Sequence, residues 1–230
     1  IGCLVGSEMC IRDRSITALV TPMNEKGDLD YNSLEKLINF QIDSGISGLV
    51  AVGTTGESAT IDFEDHIKLI EFFIKISNGR VHIIAGTGAN STEEALHLTR
   101  EAKNLGADAA LLVSPYYNKP PQEGIYRHHA KIADEVDIPQ ILYNVPSRTA
   151  SFIEPETVQR LSSHQNIMGI KDATGDMKNL SEVLKLCEEN IKSKNFFLYS
   201  GDDFSFLEFL KKGGHGTISV SYTHLTLPTR

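Results

Sequence analysis

The chain has 230 residues and a formal net charge of −8, with 22 Lys and Arg against 30 Asp and Glu. That balance argues against a nucleic-acid binder, which needs clustered Lys and Arg to neutralise phosphates, and no apolar run is long enough to span a bilayer. Hydrophobic residues at 40% and charged residues at 23% suit a soluble domain with a sizeable core, and three cysteines (Cys3, Cys10 and Cys187) cannot build a disulfide framework, which points to a reducing cytoplasm.

Short β-type runs recur, each followed by a stretch of helical periodicity. The strand candidates are Ile16–Pro22, Gly48–Gly53, Val81–Gly86, Ala109–Tyr117, Pro139–Pro146, Asn166–Asp172, Phe196–Asp202 and Thr217–Val220. Several are almost continuously apolar, as parallel strands covered on both faces should be. Between them, Leu34, Leu37, Ile38 and Ile42 fall at helical spacing, as do Ala95, Leu98, Ala102 and Leu105, and Leu180, Val183, Leu184 and Cys187. Ser91 and Glu94 read as a capping box, and Gly45 and Gly106 sit where helix C-caps belong. Regular β-α alternation predicts a parallel sheet, and eight strands without a composition break predict one (β/α)8 barrel domain over 15–220.

The two ends do not share this pattern. Ile1–Arg14 shows neither period and lacks the apolar centre of a signal peptide. Ser221–Arg230 follows the last strand where a helix should start. The strings around Ser7–Arg14 and Ser221–Thr229 look like translated sequencing-adapter sequence, so 1–14 and 221–230 are expected to be non-native flanks; a natural, unusual tail is the alternative. A barrel stopping after its eighth strand is then truncated, and apolar surface beside that strand is expected to lie uncovered.

In such a barrel chemistry concentrates where strands run into βα loops. At the second strand end, Thr54-Thr55-Gly56-Glu57-Ser58 offers two hydroxyls and a glycine turn that can hold a carboxylate; an ordinary turn is the plain alternative. Lys171, in Gly169-Ile170-Lys171-Asp172, projects from an apolar strand, where desolvation favours a neutral amine able to attack a ketone. The alternative there is a surface lysine paired with Asp172. Tyr143 can pass protons and Arg148 can grip a carboxylate in bidentate fashion, unless they are a core tyrosine and a solvated arginine. Tyr116 and Tyr117, on a proline-rich loop, fill a pocket or an interface. Gly86-Thr87-Gly88-Ala89 only loosely resembles a dinucleotide fingerprint, and the eight histidines lack ligand spacing, so neither a cofactor nor a metal is expected.

Taken together, Val52-Gly53-Thr54-Thr55-Gly56-Glu57-Ser58, Pro115-Tyr116-Tyr117-Asn118, Leu142-Tyr143-Asn144-Val145-Pro146-Ser147-Arg148-Thr149, Gly169-Ile170-Lys171-Asp172-Ala173-Thr174-Gly175 and Ser200-Gly201-Asp202-Asp203 resemble, in order and spacing, the dihydrodipicolinate synthase family. The resemblance spans about Ser15–Val220. It implies a Schiff-base lyase that condenses pyruvate with L-aspartate 4-semialdehyde on the route to diaminopimelate and lysine. Lys171 then forms the imine, and Tyr143, Thr54 and Tyr117 relay protons, with Tyr117 reaching into a neighbouring subunit of a homotetramer. Thr55, Arg148, Gly201 and Ile218 bind substrate. A lysine effector is implied at Ala59, His66, Gly88, Asn90, Glu94 and Tyr116, weakened because Phe63 stands where strongly regulated members carry histidine; for Glu94 a simple capping role is the alternative. Rival readings are a sibling lyase, of N-acetylneuraminate lyase or 2-keto-3-deoxy sugar-acid aldolase type, and a non-catalytic pyruvate-binding relative.

Overall fold

The computed structural model describes residues 15–220; the expectations for 1–14 and 221–230 lie outside the described residues. Eight parallel strands close into a barrel in sequence order: β1 Ser15–Ala18, β2 Gly48–Ala51, β3 His82–Gly86, β4 Ala109–Val113, β5 Gln140–Asn144, β6 Ile167–Asp172, β7 Phe197–Ser200 and β8 Gly216–Ser219. Closure is made by β1 on β8, with Ile16 opposite Ile218. The helices are α1 Tyr31–Asp43, α2 Phe63–Ser77, α3 Thr92–Leu105, α4 Gln122–Glu135, the short α5 Pro146–Thr149, α6 Pro155–Ser162, α7 Met177–Leu186, α8 Glu188–Lys192 and α9 Phe206–Lys211.

Six strands, all but β3 and β6, end before their expected runs do. In β2 the chain leaves the sheet at Val52, whose φ is +57°, a left-handed conformation that a β-branched residue adopts only at a cost. At the ends of β4 and β5 the runs meet Pro115 and Pro146, which have no N–H to give the next strand. The overrun residues are therefore the βα loops themselves.

Two apolar layers result from the period-2 alternation of the strands. Ile16, Val50, Ile84, Leu111, Ile141, Phe197 and Ile218 pack inside the barrel with Tyr143 and Tyr199. The outward-facing Leu142, Ile170 and Leu198 pack against Val158, Leu161, Leu180 and Val183 of the surrounding helices. Helix starts are capped as polar side chains at those positions dictate: Asp30, Asp62 and Ser91 accept from the backbone N–H of Ser33, Asp65 and Glu94. Gly106 closes α3 at φ +95°, where a glycine carries no Cβ penalty. Exposed apolar side chains gather on the β7–β8 connection, at Phe204, Leu207 and Leu210.

Candidate functional site

The strand register assembles the centre of the site. Tyr143 on β5 pairs with Lys171 on β6, which pairs with Tyr199 on β7, so all three side chains enter the barrel at one level. Lys171 is only 6% exposed. Its ammonium lies 4.2 Å from the centroid of the Tyr143 ring. Gly201, at the end of β7, leaves room for it: a Cβ there would come within 2.7 Å of Lys171 Cε and 3.2 Å of Cγ. Burial draws the Lys171 pKa from 10.5 down to about 7, against the attraction of Asp203 and with help from the like charge of Arg148. About half of the lysine is then a free amine near neutral pH. The alternative pairing with Asp172 does not form, because Asp172 faces the other side of β6. Its carboxylate accepts from Thr174 N–H at 2.7 Å and Asn179 Nδ2 at 2.6 Å.

Around the amine the structure places several expected groups. The strained exit at Val52 turns Thr54–Gly56 into a single 3-10 turn, pinned by the Thr21 hydroxyl donating to Gly56 O at 2.7 Å. Burial pushes the Tyr143 pKa up, while the charge of Arg148 and the nearby Thr54 side chain pull it back. Thr55 is half-buried in the same turn. Arg148 lies on α5, directly after β5, with its charge felt by both Tyr143 and Lys171. Ile218 is fully buried in the barrel interior. Tyr117 does not join them within one chain. It is 89% exposed at φ +73° on the β4–α4 loop.

A separate cavity lies at the β2 and β3 loops. Ala59, His66, Gly88, Glu94 and Tyr116 line one cavity of about 70 Å³ together with Phe63; burial and the Glu94 charge raise the Tyr116 pKa, and the Asn90 backbone acts against them. His66 Nε2 is 2.7 Å from Gly86 O, and burial lowers its pKa. Only half of the capping box forms. Ser91 Oγ accepts from Glu94 N–H at 3.4 Å, and Glu94 also lines the cavity. The Phe63 ring lies against His97, 4.8 Å between centroids.

Other features resolve into packing. The glycines of the Gly86-Thr87-Gly88 stretch are needed by the barrel wall, since added Cβ atoms would meet Val52 O at 2.4 Å and Val113 N at 2.3 Å. His128 and His129 are both buried, with burial taking the His128 pKa to about 4 and that of His129 well below its ordinary value. Sequence reasoning missed Tyr199 and Asp203 as neighbours of the lysine. The signal was present for Asp203, inside the Ser200-Gly201-Asp202-Asp203 motif; Tyr199 is revealed only by register.

Fold and site together define an eight-stranded α/β barrel with a part-neutral amine at its C-terminal mouth. The sequence profile of the Dihydrodipicolinate synthetase family matches residues 12–227, and the chain belongs to that family. It is 55% identical over 207 residues to the 4-hydroxy-tetrahydrodipicolinate synthase of Alcanivorax borkumensis, covering 90% of this chain and 69% of that protein. Among solved structures it is similar to the chloride-inhibited dihydrodipicolinate synthase of Acinetobacter baumannii complexed with pyruvate, at 50% identity and TM-score 0.86, covering 91% of this chain and 70% of that one. It is also similar to the lysine-bound enzyme of Cyanidioschyzon merolae, at 39% identity and TM-score 0.86, with 91% and 70% covered.

Proposed function

We propose that this chain condenses pyruvate with L-aspartate 4-semialdehyde to give 4-hydroxy-tetrahydrodipicolinate, the committed step toward diaminopimelate and lysine. The observation that carries the reading is the buried Lys171 amine, half neutral near pH 7 and touching the Tyr143 ring. The amine attacks the pyruvate ketone, water leaves, and the resulting imine loses a methyl proton to become an enamine. The enamine carbon bonds to the aldehyde carbon, whose oxygen takes a proton by way of Tyr143 and Thr54. The acceptor's own amino group then closes the ring at the imine carbon and frees the lysine.

In this reading Thr55 holds the pyruvate carboxylate and Arg148 the acceptor carboxylate, with Gly201 and Ile218 shaping the wall. The exposed Tyr117 completes the relay in a neighbouring copy, which supports a tight dimer within a homotetramer; an exposed aromatic on a strained loop suits such a contact. Free lysine acts as an effector, which the lysine-bound relative supports, and it binds at the cavity lined by Phe63, Glu94 and Tyr116. The setting is the cytoplasm, with residues 15–220 as one catalytic domain. An acceptor screen tests the reading: pyruvate consumption is expected with L-aspartate 4-semialdehyde, and faster consumption with N-acetylmannosamine or glyceraldehyde contradicts it.

A further inference from the structure

Asp172 is a carboxylate buried next to the reacting lysine and turned away from it. It is 7% exposed, on the opposite face of β6 from Lys171 as strand alternation requires. A carboxylate withdrawn from water is costly unless its oxygens are satisfied, and both are. Oδ1 accepts from Thr174 N–H at 2.7 Å and Oδ2 from Asn179 Nδ2 at 2.6 Å. The turn continues in short steps: Thr174 Oγ1 accepts from Asp176 N–H at 3.1 Å, and Asp176 Oδ1 from Lys178 N–H at 2.8 Å, at the start of α7. The carboxylate thus ties the last residue of β6 both to the turn that follows it and to the helix beyond.

That turn bears on the lysine stem. Ala173 N–H donates to Asn144 O at 2.9 Å, and Gly201 N–H donates to Asp172 O at 2.7 Å. A Cβ on Gly201 would lie 2.7 Å from Lys171 Cε and 2.9 Å from Ala173 Cβ, so the Gly201 Cα sits between the lysine stem and the first residue of the turn. A shift of Ala173 or of the Asp172 carbonyl therefore moves Gly201 and loosens the stem that carries the amine. We infer that Asp172 is a positioning residue for the imine-forming lysine: its carboxylate fixes the 173–176 turn, and the turn, with Gly201, holds the Lys171 stem in line for the ketone. The inference rests on the proposed function and deepens it. It requires two hydrogen bonds in place, and not the charge itself. Asn179 Oδ1 has no hydrogen-bond partner among the described residues, so an amide at position 172 can accept from Thr174 and donate to that oxygen once the Asn179 side chain turns over.

The test times imine formation on folded protein: pyruvate is mixed in, borohydride is added after short intervals, and mass spectrometry reads the fraction carrying the adduct. In Asp172→Ala the rate at saturating pyruvate is expected to fall by about tenfold or more, with half-saturation moving less than about threefold, the pattern of a misplaced reacting group rather than of lost binding. Asp172→Asn should restore the rate to within about threefold of the unsubstituted protein, because both hydrogen bonds can re-form. Asn179→Ala removes one of the two and should give an intermediate rate, which tests the same claim if Asp172→Ala does not fold. An unchanged rate in the folded variants, even with a lowered melting temperature, makes Asp172 merely structural and overturns the inference. So does a loss confined to half-saturation, or an equal loss in the Asn and Ala variants, which would assign the effect to charge. Failure of the unsubstituted protein to trap pyruvate sinks the proposed function itself, and this inference with it.

Discussion

Lys171→Met removes the amine while keeping most of the volume, and it should make the protein more stable as it abolishes activity. The lowering of Lys171 from 10.5 to about 7 means that the folded state resists protonation that the unfolded chain accepts. At about 1.36 kcal/mol per unit, the amine costs the fold on the order of 4 kcal/mol at pH 7. The sign follows from proton linkage. Between about pH 7 and 10.5 the unfolded chain binds more protons at this site, so stability rises with pH and is lost as pH falls through that window. By the same arithmetic the cost shrinks to roughly 2 kcal/mol at pH 9. A volume-conserving apolar replacement costs less than about 1.5 kcal/mol, so the variant should gain about 3 kcal/mol at pH 7 and about half that or less at pH 9. Urea unfolding followed by circular dichroism at both pH values measures it. A loss of stability, or a gain that does not shrink between pH 7 and pH 9, would refute the reasoning.

Tyr143→Phe should lower turnover by about a hundredfold or more, the usual scale for general acid–base groups, while pyruvate trapping persists; near-normal turnover would make the tyrosine structural. Gly201→Ala places a methyl within 2.7 Å of Lys171 Cε and 2.9 Å of Ala173 Cβ, so imine formation should slow by at least about tenfold, as misplacement of a reacting group does, with a loss of stability of about 1–3 kcal/mol from overpacking. Inhibition by free lysine should be weak in the Phe63 protein, because a phenyl ring donates no hydrogen bond to the cavity, and tighter in Phe63→His; the reverse order in a lysine titration means that the cavity has been misread.

How much was legible follows from which physics each feature uses. All eight strands were visible, because a strand buried on both faces must be apolar almost throughout, and that composition is a local property. Their C-terminal ends were legible only for β3 and β6. Val52 leaves β2 through a left-handed turn that its side chain gives no hint of. Lys171 was legible as a charge in an apolar run, but whether it paired with Asp172 depended on which face each residue takes, and the structure turns Asp172 to Asn179. The register irregularity between Gln140 and Ile141 lies in the β5–β6 pairing that aligns Tyr143 with Lys171, and no count along the sequence predicts it. Tyr199 was invisible for the same reason. Gly86 and Gly88 loosely resembled a dinucleotide fingerprint because glycine spacing records only where a Cβ is forbidden, and here the backbone of Val52 and Val113 forbids it. Glu94 fitted the capping box by spacing, yet it also lines the cavity with Tyr116.

The central claim is that Lys171 forms the imine. Incubation with pyruvate and borohydride, followed by peptide mass mapping, tests it directly, because reduction fixes the carbon–nitrogen bond on whichever amine made it. The account predicts one pyruvate-derived adduct, on Lys171, and none in Lys171→Met. An adduct on another lysine, or labelling that survives the substitution, would contradict it.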